Sequence, residues 1–481
     1  MTTRRIAVIG GGITGLSAAF YLQKEIEAGN IDAQYTLYEA KAELGGRIET
    51  VKKDGFTIET GPDSFLARKQ SMTELAKDVG MADDLVPNEG GSFILSKGRL
   101  HKMPEGAVMG IPTKWGPFIS TTLFSPVGKA RAAFDLVLPK VTKGDQDISL
   151  GEFFRRRLGD EVVDHMIDPL LSGIYAGNID EISLHATFPH FQTLEEKYRS
   201  LIIGMKTSMA KRQSAPQTGG KKKPVGMFLT FKNGLSSLVS AVEDHLDKNA
   251  VKKGHTLTSL TRLSSGRYEL RFSNGTTDVV DEVILTTPHQ HIEALFKDEG
   301  FGDAFTDMPS TSVATVAMAF PADAVKKDID GTGFVVSKKD DYEITACTWT
   351  HKKWVHAAPK GYALLRAYVG KRGSEAIVSE SDETIKAAVL RDLNRIMDIE
   401  GEPLFSIVTR WEDAMPQYTV GHRARTAHFR DALRERYPGV LLAGASLDGI
   451  GLPDCIDQGK KAVELLKTEQ GQAVTAAAVK N

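Results

Sequence analysis

Ile6-Ala-Val-Ile-Gly10-Gly11-Gly12-Ile13-Thr14-Gly15-Leu-Ser-Ala-Ala-Phe20, followed after an intervening helix by Tyr35-Thr-Leu-Tyr-Glu39-Ala40, decides the reading of this chain. The order is strand, tight glycine turn, helix, and a second strand ending in an acid. Gly10 permits the turn, Gly12 lets the backbone approach a pyrophosphate at the helix N-terminus, and Gly15 allows helix and strand to pack closely. Glu39 lies 24 residues beyond Gly15, where a carboxylate accepts hydrogen bonds from a ribose hydroxyl and repels a 2′-phosphate. The stretch predicts a dinucleotide site and argues against NADP. By itself it does not choose between NAD and FAD.

The 481 residues exceed one compact core, so two or three domains are expected. Sixty basic residues balance 62 acidic ones, which argues against nucleic acid as a general partner and leaves any anionic substrate to local cations. The two cysteines, Cys347 and Cys455, suit a reducing compartment such as the cytoplasm better than a disulfide framework. The closest histidine pairs, His289 with His291 and His185 with His190, lack further ligands at metal spacing, so no metal is expected. Ile6–Ile9 is too short for a secretory signal, and no apolar run is long enough to span a bilayer. The apolar segment from Pro104 to Pro139, broken by Pro and Gly, fits either a substrate-cavity lining or contact with a membrane surface.

Periodicity predicts helices over Gln70–Val79, Leu150–Leu158 and Glu161–Leu171. The Gly, Pro, Ser and Lys content from Met205 to Gly226 predicts a mobile basic loop, centred on 206–223. Thr256–Leu260, Tyr268–Phe272 and Val279–Leu285 read as an antiparallel ribbon turning at Asn274-Gly275. Further strands are predicted at Ser312–Phe320, Gly333–Val336, Ile344–Thr350 and Ala363–Val369. Gly439–Gly444 reads as a buried strand and Pro453–Leu466 as a helix, with a disordered tail after Gln470.

Two more glycine loops turn the reading toward a flavin. Leu44-Gly45-Gly46-Arg47 precedes Gly61-Pro62-Asp63-Ser64, and Gly444-Ala-Ser-Leu-Asp-Gly449-Ile450-Gly451-Leu452 opens the last helix. Paired glycines beside an arginine admit a pyrophosphate and ring close to the backbone. A helix N-terminus at the pyrimidine side of a flavin would stabilise negative charge on the reduced ring.

With these loops in place, nearly the whole chain resembles the FAD-dependent oxidoreductases that include monoamine oxidases, phytoene desaturases and protoporphyrinogen oxidases. The closer likeness is to the coproporphyrinogen III oxidases of Gram-positive bacteria. It rests on Gly61-Pro-Asp-Ser-Phe65, Pro104-Glu-Gly-Ala-Val-Met-Gly-Ile-Pro112, Ser149-Leu-Gly-Glu-Phe-Phe154, Pro169-Leu-Leu-Ser-Gly-Ile-Tyr-Ala-Gly177 followed by Ile182-Ser-Leu, Ala346-Cys-Thr-Trp349 and Gly451-Leu-Pro-Asp-Cys-Ile-Asp457. The resemblance implies an α/β fold, α+β overall, of the monoamine oxidase type. A Rossmann-type FAD-binding domain (1–60, 224–298 and 436–481) would carry a strand-rich substrate domain (61–98 and 299–435) and a mainly helical insertion (99–223).

Carried over by position, the resemblance puts the pyrophosphate on Gly10 to Gly15 and the adenosine ribose on Glu39 and Ala40. It puts the adenine at the backbone of Leu257, and the flavin near Gly46, Arg47, Gly61 to Ser64, Trp411, Gly444 and Ile450 to Leu452. Gly173, Ile174, Tyr175, Phe334 and Tyr368 are the expected pocket, with Arg68 and Lys69 as rim cations for substrate carboxylates.

The implied reaction is six-electron oxidation of a porphyrinogen in haem biosynthesis, in three hydride transfers to flavin N5, with oxygen returned as peroxide. No catalytic side chain is expected, because the cofactor carries the chemistry. Protoporphyrinogen IX as substrate, a flavin amine oxidase, and a non-catalytic flavin-binding partner protein remain alternatives. Contact with a membrane periphery and with ferrochelatase remain open.

Overall fold

The computed structural model describes residues 3–142, 144, 146–214, 226–301, 305–306 and 308–478. Strand β1 (Arg4–Ile9), buried from Ile6 to Ile9, runs into helix α1 (Ile13–Glu27) and then strand β2 (Ala33–Tyr38). β1 and β2 pair in parallel with Ile6 opposite Tyr35, as a strand–helix–strand crossover requires. A hairpin of β3 (Thr50–Lys53) and β4 (Phe56–Glu59) and helix α2 (Ser71–Asp78) follow, then the hairpin β5 (Phe93–Ser96) and β6 (Arg99–Lys102).

The middle of the chain is helical, with α3 (Leu150–Leu158), α4 (Asp168–Tyr175) and α5 (Leu201–Ser214) around a core of Phe118, Phe153, Phe154, Met166, Phe191 and Leu201. The helix expected over Glu161–Leu171 is divided: a π-helical turn over Val163–Ile167 precedes α4. Pro169 has no N–H to continue the regular ladder, and the turn before it widens. The loop expected from residue 206 is also corrected, since α5 continues to Ser214; the rest of that prediction, 215–225, lies outside the described residues. Met205 is buried in the helical core, and that anchor outweighs the polar composition beyond it.

After the helices come strands β7 (Phe228–Phe231), β8 (Val251–Lys252), β9 (Leu257–Arg262), β10 (Tyr268–Phe272), β11 (Thr277–Val280) and β12 (Glu282–Leu285). The predicted ribbon is β9-β10-β11, but its third strand breaks at Asp281, whose N–H donates to Arg5 O (2.8 Å). β12 thereby leaves the ribbon and joins β1 in parallel.

The chain continues through β13 (Ser310–Pro321), β14 (Gly333–Val336), β15 (Ile344–Trp349), β16 (Tyr362–Val369), α6 (Asp382–Met397), β17 (Phe405–Pro416), α7 (His422–Arg436), β18 (Val440–Leu442) and α8 (Leu452–Ala478). α8 runs through the tail expected to be disordered, consistent with the helix preference of its alanines.

Two sheets organise these elements. The parallel sheet has order β8-β2-β1-β12-β18, and a seven-stranded mixed sheet has order β17-β13-β16-β15-β14-β5-β6. One face of the second sheet (Val316, Met318, Phe334, Trp349, Leu365, Ala367) packs on Ile385, Val389 and Leu393 of α6. The segment 61–98, grouped with the substrate domain in the sequence, divides. Phe65, Met72, Leu75 and Met81 join the core of α1 and α8, whereas β5 joins the seven-stranded sheet.

Candidate active site

At the turn between β1 and α1 the glycines have the tight geometry that their spacing implies. Gly10 has φ +106° and its N–H donates to Tyr38 O (2.8 Å), while a Cβ on Gly15 would sit 1.8 Å from Gly10 O. α1 starts at Gly12 with no side-chain cap and no acid in its first turn, so its leading N–H groups are free for an anion. Glu39 is buried at the end of β2, where its carboxylate accepts from Gly11 N–H (2.5 Å) and Lys41 N–H (2.8 Å), with Ala40 exposed beside it. Those donors orient the carboxylate and leave it lone pairs for hydroxyl donors. His255 N–H donates to Glu39 O, which brings the chain leading to Leu257 alongside; the Leu257 carbonyl itself accepts from His291 Nε2 (2.6 Å).

Gly45 N–H donates to Gly11 O (2.8 Å), and Gly46 (φ +64°) lies so close that its Cβ would be 3.0 Å from Gly12 Cα. Two glycine loops distant in sequence are thus in contact. Arg47 follows, half-buried and without ion pair or hydrogen bond among the described residues; burial lowers its pKa. A desolvated cation with no protein acceptor fits an anionic or carbonyl-rich ligand. These donors, the glycine approach and Glu39 together fit a dinucleotide cofactor.

Residues 60–64 form the next wall. A Cβ on Gly61 would stand 1.9 Å from Arg47 O and 3.4 Å from Trp411 Cζ2. The Thr60 carbonyl accepts from Trp411 Nε1 (2.9 Å), Thr315 Oγ1 (2.8 Å) and Arg366 Nη2 (3.2 Å), and Arg366 Nη2 also donates to Gly61 O. Three strands, β17, β13 and β16, therefore pin this loop to the seven-stranded sheet. Asp63 accepts from Ser64 Oγ (2.6 Å) and Lys353 Nζ (2.8 Å). Burial opposes its ionisation, but Lys353 and Arg366 outweigh burial and hold it well below the ordinary carboxylate range.

The last glycine loop closes the site. Gly444 (φ +134°) donates its N–H to Gln458 Oε1 (2.9 Å), and the Tyr418 hydroxyl donates to Ala445 O (2.6 Å) while accepting from Gly449 N–H (2.9 Å). Ile450 packs toward the helical core and Leu452 toward that of α1. α8 lies along α1: a Cβ on Gly459 would be 2.6 Å from Thr14 O, and Lys467 at the other end pairs with Glu25 (2.7 Å). The helices run the same way, and because the contacting residues lie further into α8 than into α1, α8 begins about one turn, ~5 Å, before α1 does. Cys455 in its first turn is a buried thiol, pushed up to about 11 by burial and therefore unreactive.

Among the residues expected to meet substrate the pattern is mixed. Tyr175 is buried, its ring 5.6 Å from Tyr418, and Gln417 Nε2 donates to its carbonyl (2.7 Å); burial raises its phenol pKa. Gly173 is exposed and Ile174 is 45% exposed, on the same helix. Tyr368 lies on the sheet face that also carries Arg366 and Thr348, its hydroxyl 3.5 Å from Thr348 Oγ1. Phe334 does not line that face: it is 3% exposed and packed beside Trp349 in the α6 core. Its neighbour Val335 takes the opposite face, against the helical unit, as strand alternation dictates. Lys69 is salt-bridged to Asp454, so its charge is already engaged; Arg68 is exposed with no partner among the described residues.

Arg366, Thr315 and Tyr418 were not foreseen. Only Arg366 had a signal, being a lone charge in the buried run Ala363-Leu-Leu-Arg-Ala-Tyr-Val369. Lys371 and Arg372 also went unseen. Arg372 N–H donates to Ala176 O (2.9 Å), which places this basic pair at the end of α4.

The family model for flavin-containing amine oxidoreductases matches residues 13–466. The chain belongs to that family. Within it, 464 residues are 52% identical to a coproporphyrinogen III oxidase of Bacillus subtilis (strain 168), covering 96% of this chain and 97% of the relative. A coproporphyrinogen III oxidase of Staphylococcus aureus (strain NCTC 8325 / PS 47) is 44% identical over 464 residues, 96% of this chain and 98% of the relative. A crystal structure from Exiguobacterium sp. 255-15, described as a protoporphyrinogen oxidase, superposes with a TM-score of 0.86 at 41% identity, covering 98% of this chain and all of that one. The chain thus sits in the branch of the Gram-positive coproporphyrinogen oxidases, with a flavin as its cofactor and an α/β oxidoreductase fold. No helix among the described residues is long and apolar enough to cross a membrane.

Proposed function

We propose that this chain is an FAD-dependent oxidase converting coproporphyrinogen III to coproporphyrin III. Six electrons and six protons leave the substrate and three O2 become three H2O2. The observation that carries the reading is 52% identity along 96% of the chain to a coproporphyrinogen III oxidase, joined to a site whose glycine loops meet at Gly12 and Gly46.

FAD is favoured over FMN because the site has a nucleotide half. The open N-terminus of α1, with Gly10 to Gly15, would hold the diphosphate; Glu39 and Ala40 would meet the adenosine ribose, and Leu257 the adenine. Gly46, Arg47, Gly61 to Ser64, Trp411, Gly444 and Ile450 to Leu452 would surround the ring. When bound, the flavin supplies the hydride acceptor and the reaction with oxygen. The chain's part is to hold a bridge carbon at attack distance. Tyr175 and Tyr368 supply walls, Gly173 and Ile174 leave open surface beside them, and Arg68 and Lys69 meet propionates at the rim. No side chain need carry a proton, since pyrrole N–H groups and solvent do so.

Two measurements test the reading. Cofactor released by acid should be FAD, and release of FMN contradicts the nucleotide half. At equal ionic strength, kcat/KM for coproporphyrinogen III should exceed that for protoporphyrinogen IX; the reverse order makes this a protoporphyrinogen oxidase, the second reading supported by the Exiguobacterium likeness.

Two free cysteines support a reducing compartment, the cytoplasm. Ile119, Val127, Phe134 and Val137 are exposed on the helical unit and support peripheral contact with a membrane surface, checked by vesicle flotation. Transfer of product to ferrochelatase is checked by copurification.

A further inference from the structure

Arg366 is 3% exposed, yet among the described residues it has no carboxylate within salt-bridge distance. Its Nη2 is spent on the Thr60 and Gly61 carbonyls and its guanidinium lies over the Tyr368 ring, 4.9 Å from the centroid, but its Nε and Nη1 are buried without a hydrogen-bond partner among the described residues. Of the other buried groups without a hydrogen-bond partner among the described residues, two lie beside it, Trp354 Nε1 and Thr350 Oγ1. Arg366, Trp354 and Thr350 line one cavity, with Glu59, Asp63 and His356 among its other walls. The coincidence is informative, because buried donors without acceptors are rare and each costs about 1–3 kcal/mol. The cavity volume is about 20 Å³, room for about one or two waters.

We propose that Arg366 is the positioning residue of the cofactor-facing loop 60–64, and that ordered water in this cavity, hydrogen-bonded by Arg366, Trp354 and Thr350, holds it there and links it to Glu59. The inference rests on the reading that this loop faces the flavin. Nη2 holds the Thr60 carbonyl together with Trp411 and Thr315, and it also holds the Gly61 carbonyl, so the orientation of the guanidinium sets where Gly61 lies. Water is the occupant because Arg366 and Trp354 contribute only donors here, whereas Glu59 and Asp63 offer acceptors across the cavity.

Glu59 already accepts from Leu235 N–H (2.7 Å) and Thr50 Oγ1 (2.8 Å), and burial lifts its carboxyl to about 7. The charged groups facing it are Arg366 from β16, Asp63 from the loop and Lys353 behind Asp63; the His356 imidazole, across the cavity, is held neutral by burial. Losing the Glu59 proton near neutral pH turns one side of the water network from donor to acceptor. The pull on Arg366, and so on the loop, changes with it.

The test uses the flavin-loaded enzyme without substrate first. In Arg366→Lys the visible band and reduction potential of the bound flavin should shift, and kcat should then fall about tenfold with KM within about twofold. In Trp354→Phe, which keeps the ring and Arg366, a smaller shift in the same sense is expected, and a high-resolution crystal structure of the parent enzyme should show water against Arg366 Nε and Nη1. The parent flavin band should change between about pH 6 and 8, on either side of the Glu59 value near 7, and Glu59→Gln should abolish that change.

An unaltered flavin band, potential and kcat in Arg366→Lys overturns the positioning role. A dry cavity or an unaltered pH response in Glu59→Gln overturns the water link. Should Arg366→Lys fail to fold, Trp354→Phe decides: a shifted band supports the proposal and an unchanged one sinks it. Protein that takes up no flavin at all contradicts the proposed function instead.

Discussion

Helices α1 and α8 lie side by side and point the same way, yet their N-termini are built differently. At α1 there is only backbone: no cap, no acid in the first turn, and glycines so tight that a methyl at residue 15 has 1.8 Å of room. At α8 the first turn carries Asp454, bridged to Lys69, behind a loop tied by the Tyr418 hydroxyl. A diphosphate is always anionic, so fixed N–H donors suffice for it. A flavin ring gains negative charge only on reduction, and on the proposed placement the charge pair at the helix end beside it would tune how much that reduction is favoured.

Each variant that follows sharpens or breaks that contrast. Gly15→Val drives side-chain carbon into a backbone carbonyl that cannot move, so stability should fall by about 3 kcal/mol or more, with loss of bound cofactor. Thermal unfolding and flavin content check it. Glu39→Ala should keep the fold and weaken binding of the flavin proposed to be FAD about 10- to 100-fold, the worth of one charge-assisted hydrogen bond, read by fluorescence titration.

At the other helix the effects should be electronic. Asp454→Asn should raise the flavin potential by about 10–30 mV, and Lys69→Ala, which leaves Asp454 uncompensated, should lower it and raise KM for the tetracarboxylate substrate. Equal shifts of one sign would erase the distinction between the two helix ends. Tyr418→Phe should cost about 1 kcal/mol of stability and slow turnover two- to threefold, about the smallest change of the set.

The same contrast explains what the sequence disclosed. Gly10, Gly12 and Gly15 shape the backbone at short spacing, so the tight turn and close packing there could be read from order alone. The proposed substrate side draws in part on one face of a sheet, and there a shift of one residue is decisive. Phe334 was the conspicuous aromatic, but it faces α6 and Val335 takes the other face. β17 escaped prediction because its sequence Phe405-Ser-Ile-Val-Thr-Arg-Trp-Glu-Asp mixes charge with apolar residues, as an edge strand does. Arg366 was visible as an odd charge in an apolar strand; its grip on the Thr60 and Gly61 carbonyls, from 305 positions away, was not.

The most direct measurement is anaerobic mixing of the yellow holoenzyme with coproporphyrinogen III, followed by air. The visible flavin band should bleach at a rate no slower than turnover, then return on aeration with about three peroxides formed per porphyrin. A flavin that stays oxidised in the presence of this substrate, or a folded chain that binds no flavin, contradicts the account.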